Sequence, residues 1–216
     1  MSPIRPILRL AAVAAISVAL SGCITLFPKA KPVQLYRFGV TAPPTQTAAT
    51  AGPAFEVLRL PTSFQRAAST DGILTITGEQ AAYIAGGRWV SPATVLFDEA
   101  EARAFEAVGG PARLITRGSI AKADVSLRLD VEAFEARYES GAASAPVVVV
   151  QIHAVLMRSL DRKVLGDQLF SVRKQAPDNR LGAIVPAYDA ATDEALGKIV
   201  SWTNELGASS AAQTPK

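Results

Sequence analysis

Alternation of apolar and polar residues predicts most of the strands in this chain. The clearest run is 123–133, where Val125, Leu127 and every second residue after them are apolar and the residues between them are polar. The apolar positions then shift by one at Phe134, and a β-bulge near this residue would absorb the shift. Further strands are predicted for 34–38, 55–60, 73–76 and 81–90, the last with a kink at Gly86-Gly87.

Two longer segments predict a central strand and its partner. Residues 146–157 begin with an almost unbroken run of valines, which is typical of a strand that is covered on both faces. Asp161 to Lys163 then predicts a turn, and residues 164–174 predict a strand that pairs with the first.

Helical periodicity occurs in two segments. The first helix is predicted to begin at Ser91-Pro92, with Ser91 as its capping residue, and to end at Gly109-Gly110-Pro111. Its predicted apolar stripe consists of Phe97, Ala100, Ala104 and Val108. The acidic residues predicted on the opposite, solvated side are Asp98, Glu99 and Glu101.

The second helix closes the chain. Its start is placed near Ala183, because Pro186 is tolerated only in the first turn of a helix, and its end is placed at Gly207. The order of the elements predicts an α+β fold. It would be a single domain in which two helices pack on one face of a mainly antiparallel sheet.

The N-terminal residues have the pattern of a secretory signal peptide. Arg5 and Arg9 precede an apolar run from Leu10 to Leu20, which is shorter than the roughly 20 residues of a membrane-spanning helix. The segment Leu20-Ser21-Gly22-Cys23 resembles a bacterial lipobox, in which the cysteine is acylated and becomes the mature N-terminus. The alternative is a plain signal peptide with an incidental cysteine. The predicted organisation is a lipoprotein signal peptide 1–22, a lipidated tether 23–33, a folded domain 34–207 and a disordered tail 208–216.

Charge argues against two classes of partner. The chain of 216 residues has a formal net charge of +3, and cleavage before Cys23 removes Arg5 and Arg9 and no acid, which leaves +1. A nearly neutral domain argues against a nucleic-acid-binding protein and against a polybasic membrane patch. Because Cys23 is the single cysteine, the folded domain is predicted to be stabilised by packing without a disulfide.

The motifs of catalysis and metal binding do not occur in the sequence. It contains no Gly-x-Ser-x-Gly segment, no phosphate-binding glycine loop and no zinc-ligand spacing. The single histidine, His153, lies among valines and is interpreted as a residue of the sheet surface or the core. Asp98, Glu99 and Glu101 are interpreted as solvated residues and not as an acid–base set. We therefore expect a protein that is not an enzyme and has no cofactor or metal.

Arg88-Trp89 is the candidate partner-binding pair. Tryptophan and arginine are enriched at the positions that contribute most to protein–protein binding. The alternative is that Trp89 fills the core where the sheet meets the first helix, and the sequence favours neither.

Several segments in this order resemble one known family. They are Leu20-Ser21-Gly22-Cys23, Gln34 to Phe38, Val57 to Pro61, Arg88-Trp89 with Pro92, Ala123 to Leu127 with Phe134, and Ile199-Val200-Ser201-Trp202. Together they are similar to the ABC-type transport auxiliary lipoproteins, the group that includes the PqiC-like proteins. Taken in order, these segments extend over nearly all of the mature chain.

The resemblance implies an accessory role in lipid transport. Such lipoproteins act beside an ABC permease and ATPase and a mammalian-cell-entry (MCE) domain protein, in systems that move lipids between the inner and outer membranes. Ile24 follows the cysteine where an aspartate would retain a lipoprotein at the inner membrane, and this favours the outer membrane. A carrier with its own lipid cavity and a structural scaffold of another outer-membrane machine remain alternatives, and an exported hydrolase is a more distant one.

Overall fold

The computed structural model describes residues 32–40 and 52–211. The folded unit begins at Gln34. Its elements are β1 (Gln34–Tyr36), β2 (Phe55–Arg59), β3 (Ser63–Phe64), β4 (Gly72–Thr77), β5 (Gln80–Trp89), α1 (Ala93–Val108), β6 (Ala112–Ile115), β7 (Val125–Arg137), β8 (Val147–Arg158), β9 (Val164–Gln175) and α2 (Leu181–Ala211). The short strands β3 and β6 are additional to the strands predicted from the sequence.

The strand β7 connects the whole sheet. Along one edge it pairs with β8 in an antiparallel ladder, and β8 pairs in the same way with β9. Along its other edge, β7 pairs in turn with β2, β3 and β4, all parallel and each over only two or three residues. β6 extends the sheet beyond β2, and β5 and β1 extend it beyond β4. The long ladders are antiparallel, which confirms the predicted α+β fold and the internal position of β8.

Two irregularities of the sheet confirm the predicted bulge and kink. Val131 pairs with Ile152 and Ala133 with Gln151, so one extra residue of β7 is accommodated just before Phe134. In β5, Gly86 has a φ of 80°, a conformation that glycine adopts without strain.

The helix α1 ends where it was predicted to end, with Gly109 as its C-cap residue, but it differs from its prediction at the start and in its apolar stripe. Its N-cap residue is Pro92 and not Ser91, and no side chain caps this end. The amide of Ala93 instead donates to the carbonyl oxygen of Thr70 at 2.9 Å, which provides one partner for the first turn. At the other end, Val108 is 36% exposed and lies outside the core. The buried residues of α1 are Ala93, Leu96, Phe97, Ala100, Glu101, Ala104 and Phe105.

Glu101 contradicts its predicted place on a solvated face. Its side chain is fully buried, whereas the side chains of Asp98 and Glu99 are 38% and 49% exposed. The prediction failed because the apolar stripe of α1 is wider than the four residues that defined it.

The helix α2 is longer than predicted at both ends. It begins at Leu181, so Pro186 lies inside the helix, where it cannot donate the usual backbone hydrogen bond to the carbonyl of Gly182. The helix also continues through Gly207 to Ala211, so the prediction that it ends at Gly207 is wrong. A Cβ atom at residue 207 would lie 2.3 Å from the ring of Phe55, and this glycine therefore permits close packing on β2. Of the predicted disordered tail, 208–211 are helical and 212–216 lie outside the described residues.

The helices pack on each other and on the sheet, and their buried side chains join those of the sheet in one core. Within the described residues, no helix combines the length and the apolar character that crossing a membrane requires.

Candidate docking surface

Trp89 lies in the core and not at the surface. Its side chain is 2% exposed, and its ring centroid lies 5.0 Å from that of Phe38 and 5.3 Å from that of Tyr188, both in edge-to-face contact. Phe134 completes the cluster, with its centroid 4.8 Å from Phe38. The structure therefore agrees with the core alternative for Trp89, and direct partner contact by this side chain does not fit its position.

The cluster is fixed by two hydrogen bonds. The hydroxyl of Tyr188 donates to the carbonyl oxygen of Leu74 at 2.8 Å, which connects α2 to β4. Burial raises the pKa of Tyr188 well above its ordinary value, so this hydroxyl remains a donor. The amide of Trp89 donates to the carbonyl oxygen of Asp71 at 2.7 Å, which holds the start of β4 against the end of β5.

Arg88 lies at the surface beside this core. Its side chain is 55% exposed, and its Nη1 atom lies 3.0 Å from each carboxylate oxygen of Asp71. Successive residues of a strand point to opposite faces. Since Trp89 contacts Tyr188 of α2, Arg88 points to the face of the sheet without helices.

Three further residues extend the exposed surface around Arg88. Leu35 is the register partner of Arg88 on β1 and is 63% exposed. Tyr83 is 51% exposed, and its ring lies over Gly72, the register partner of Arg88 on β4. Val90 is 48% exposed. We call Leu35, Tyr83, Arg88 and Val90 the β1-edge surface, because β1 pairs only with β5 among the described strands.

Tyr83 is rigidly placed on this surface. A Cβ atom at residue 72 would lie 2.5 Å from its ring, so the ring packs where a glycine leaves room. The hydroxyl of Tyr83 donates to the carbonyl oxygen of Ala67 at 2.9 Å. An ordered aromatic ring, an arginine and two aliphatic side chains are the residue types that protein interfaces favour. Sequence reasoning missed Tyr83, because its position over Gly72 depends on the pairing of β4 with β5.

A groove on the other side of the molecule lies between α1 and β6. Its volume is about 820 Å³. Val95, Phe105 and Leu114 contribute apolar surface, and Arg59 and Arg113 contribute cationic groups. The groove is therefore amphipathic.

Glu101 is buried beside Arg59. Among the described residues, neither of its carboxyl oxygens has a hydrogen-bond partner. The Arg59 Nη1 atom lies 3.9 Å from Glu101 Oε2, but Arg59 also donates to the backbone carbonyl oxygen of Asp98 at 3.1 Å. Burial raises the pKa of Glu101 to about 8, and the opposing attraction of Arg59 offsets only part of this effect. We therefore expect Glu101 to be mainly protonated at neutral pH, although its distance from Arg59 taken alone suggests an ion pair.

The remaining candidates from the sequence do not form a site. The Nε2 atom of His153 lies 2.5 Å from Asp167 Oδ1 at the sheet surface. Within the described residues, no three acidic, histidine or cysteine side chains are grouped to hold a metal ion. Cys23, the predicted lipidation residue, lies outside the described residues.

Similar folds occur in solved structures. Protein XCC0632 from Xanthomonas campestris has a TM-score of 0.71 and 24% identity, over 84% of this chain and 100% of that chain. An uncharacterized protein has a TM-score of 0.60 and 12% identity, over 79% and 98%. The hypothetical protein CT253 from Chlamydia trachomatis has a TM-score of 0.50 and 10% identity, over 72% and 99%. At these identities, the similarities establish the fold alone.

No curated protein sequence matches the chain. In contrast, residues 36–200 match the family described as the ABC-type transport auxiliary lipoprotein component. This range contains all strands from β2 to β9, the whole of α1 and two-thirds of α2. The chain therefore belongs to the family of ABC-type transport auxiliary lipoprotein components.

Proposed function

We propose that the mature protein is a non-catalytic docking subunit of an MCE-type intermembrane lipid transport system. It is anchored in the outer membrane by an acylated Cys23, faces the periplasm, and binds an MCE-domain protein or its ABC permease and ATPase complex. The family match over residues 36–200 is the observation that carries this proposal. Ile24 after the cysteine supports outer-membrane sorting.

The tether makes docking necessary. From Cys23 to the start of β1 is eleven residues, which extend over about 40 Å at most. A domain held within this distance of one membrane serves transport between two membranes only by binding a longer protein. The β1-edge surface is our candidate for that contact.

The chemistry of the β1-edge surface supports this assignment. Leu35 and Val90 supply apolar area, and Tyr83 supplies a rigid ring whose position is fixed before binding. Arg88 is oriented by Asp71, and Trp89 supports Asp71 through its backbone amide. In this arrangement Arg88 contacts the partner and Trp89 positions it from the core.

Affinity capture tests the docking surface. The detergent-solubilised lipoprotein should recover an MCE-domain protein, and Arg88→Glu or Leu35→Asp should reduce recovery at least about tenfold. The matched control is Leu169→Asp, because Leu169 is also 50% exposed but lies on β9. Unchanged recovery with both β1-edge variants contradicts this surface. Recovery of unrelated envelope proteins alone contradicts the proposed partner.

A second candidate function is a lipid carrier, and the groove of about 820 Å³ between α1 and β6 favours it. A carrier should retain lipid through purification, and mass spectrometry of an organic extract would detect it. Ala102→Trp places a large side chain in the groove and should remove that lipid. Under the docking function, the same variant should still capture its partner.

A further inference from the structure

Two loops lie together at the end of the sheet where β7 begins and β8 ends. The amide of Ser159 donates to the carbonyl oxygen of Asp124 at 2.9 Å, and the Ser126 and Ser159 hydroxyl oxygens lie 3.4 Å apart. Residues 116–124 and 158–163 therefore form one surface, which we call the two-loop tip. The two-loop tip lies beside the first residues of β7, where that strand pairs with β2. The strand β4, which carries β5, pairs with the last residues of β7 and so lies at the other end of that strand.

Each loop of the tip exposes one large aliphatic side chain. Ile120 is fully exposed and Leu160 is 76% exposed, and both exceed every other large hydrophobic residue in the described part of the chain. A groove of about 790 Å³ adjoins the tip and is lined in part by Leu58, Met157 and Leu160. A single exposed leucine is ordinary in a soluble protein. Here two such side chains are exposed on adjoining loops, so the tip presents more apolar surface than a single leucine would.

The tip also concentrates positive charge. Its cationic residues are Arg117, Lys122, Arg158, Arg162 and Lys163, against the two acids Asp124 and Asp161. Both acids accept backbone hydrogen bonds, Asp124 from the amide of Glu56 at 2.8 Å and Asp161 from the amide of Lys163 at 3.1 Å. Asp161 also pairs at 3.5 Å with Arg158, whose side chain is only 21% exposed. The exposed cations of the tip are therefore Arg117, Lys122, Arg162 and Lys163. The formal charge of the tip is thus +3, although the whole mature chain carries only +1. A basic patch is therefore present at this end of the sheet, although the mature chain as a whole is nearly neutral.

We propose that the two-loop tip binds an anionic phospholipid surface. Ile120 and Leu160 insert at the level of the headgroups, and the surrounding cations lie over the lipid phosphates. Apolar side chains flanked by lysine and arginine are the combination that a membrane interface selects, since burial and electrostatic attraction act together there. This contact is separate from the lipid anchor and from the β1-edge surface.

A dye placed at the tip tests this proposal. An environment-sensitive dye is attached to Ala121→Cys in the mature lipoprotein, which is reconstituted in vesicles of phosphatidylcholine with or without 30% phosphatidylglycerol. The matched control is Ala143→Cys, also an exposed alanine, in the loop that joins β7 to β8 at the opposite end of these strands. Spin-labelled lipid should quench the dye at residue 121 at least threefold more in the anionic vesicles than in the neutral ones. Quenching at residue 143 should be the same in both.

Side-chain variants then identify the groups involved. Ile120→Ser with Leu160→Ser should reduce the quenching at residue 121 to the level of the control, and 0.5 M NaCl should weaken it. Leu169→Ser should leave this quenching unchanged.

Equal quenching at residues 121 and 143, or equal quenching in both vesicle types, overturns the proposal. Shielding of the dye only when another envelope protein is added also overturns it and assigns the tip to a protein partner. Cys23 is present in both labelled chains. A free thiol at Cys23 would bind the dye in both chains and would contradict acylation, but the difference in quenching between residues 121 and 143 would remain measurable.

Discussion

At the scale of single residues, Glu101 is the clearest conflict between sequence pattern and structure. Its neighbours Asp98 and Glu99 are partly exposed, and Thr62 donates to Asp98 at 2.9 Å, whereas Glu101 has no hydrogen-bond partner among the described residues. A carboxyl group that is raised to a pKa of about 8 binds its proton more tightly in the folded protein than in the unfolded chain. Its effect on stability is therefore present at low pH and is lost as pH rises.

This leads to a prediction for Glu101→Gln. Below the pKa of the unfolded chain, about 4.5, the variant and the wild type should be similarly stable, because both side chains are neutral. Between pH 4.5 and about 8, the unfolded chain releases the proton that the folded wild type still binds, so the wild type loses stability over this range. At pH 9 the variant should therefore be more stable by on the order of 3 kcal/mol. Urea denaturation at pH 5, 7 and 9 measures the difference.

The neighbouring Glu99→Gln is the control, since Glu99 is half-exposed and pairs with Arg103 only at the surface. It should change stability by less than about 1 kcal/mol at every pH. A Glu101→Gln variant that loses stability at pH 9 would contradict the prediction. It would show that Glu101 is ionised and that its attraction to Arg59 outweighs the cost of burial.

At the scale of elements, alternation predicted strands more successfully than periodicity predicted helix ends. The register shift at Phe134 is visible in the sequence, because it reverses which residues are apolar. The end of α2 cannot be predicted from the sequence, because a glycine near a helix end can either stop the helix or allow close packing within it. Only the position of Phe55, far away in the sequence, shows that Gly207 has the second role. The cap of α1 failed similarly, since its partner is the backbone of Thr70.

Two glycines of α2 make this distinction measurable. An alanine in a helix interior is more stable than glycine by about 0.5–1 kcal/mol. Gly197→Ala should show this gain, because no atom lies within 4 Å of the added Cβ position. Gly207→Ala should instead lose about 1–3 kcal/mol, since its Cβ position lies 2.3 Å from the ring of Phe55. Thermal or urea unfolding of both variants gives the comparison.

A gain of stability in both variants would mean that Gly207 is dispensable and that Phe55 moves easily. The double variant Gly207→Ala with Phe55→Leu then provides a second measurement. If the ring causes the loss, the smaller side chain should recover part of it relative to Phe55→Leu alone.

At the scale of the whole molecule, the sequence predicted the layers but not the path of the sheet. Local alternation identifies β7, β8 and β9 as a meander, since each turn joins neighbours. The other edge of β7 is built from β2, β3 and β4, whose parallel pairings are distant in sequence and short. Nothing local specifies them. Of the four residues of the β1-edge surface, sequence reasoning therefore identified Arg88 from its residue type, and the folded sheet adds Leu35, Tyr83 and Val90.

The proposed function depends on a lipid anchor at Cys23. Processing should occur before Cys23, and the mature N-terminus should carry a diacylglyceryl group with a further acyl chain. Several acyl chains together give long-lived attachment, at about 0.8 kcal/mol for each buried CH₂. Cys23→Ala should leave an unprocessed precursor and no mature form in the outer-membrane fraction. Ser21→Ala is the matched control and should be processed normally, because a small residue is kept beside the cleavage site. The intact mass of the purified protein decides between the outcomes. Cleavage at another bond, or an unmodified Cys23, would mean that the folded domain is not anchored to the membrane, and this would contradict the docking proposal.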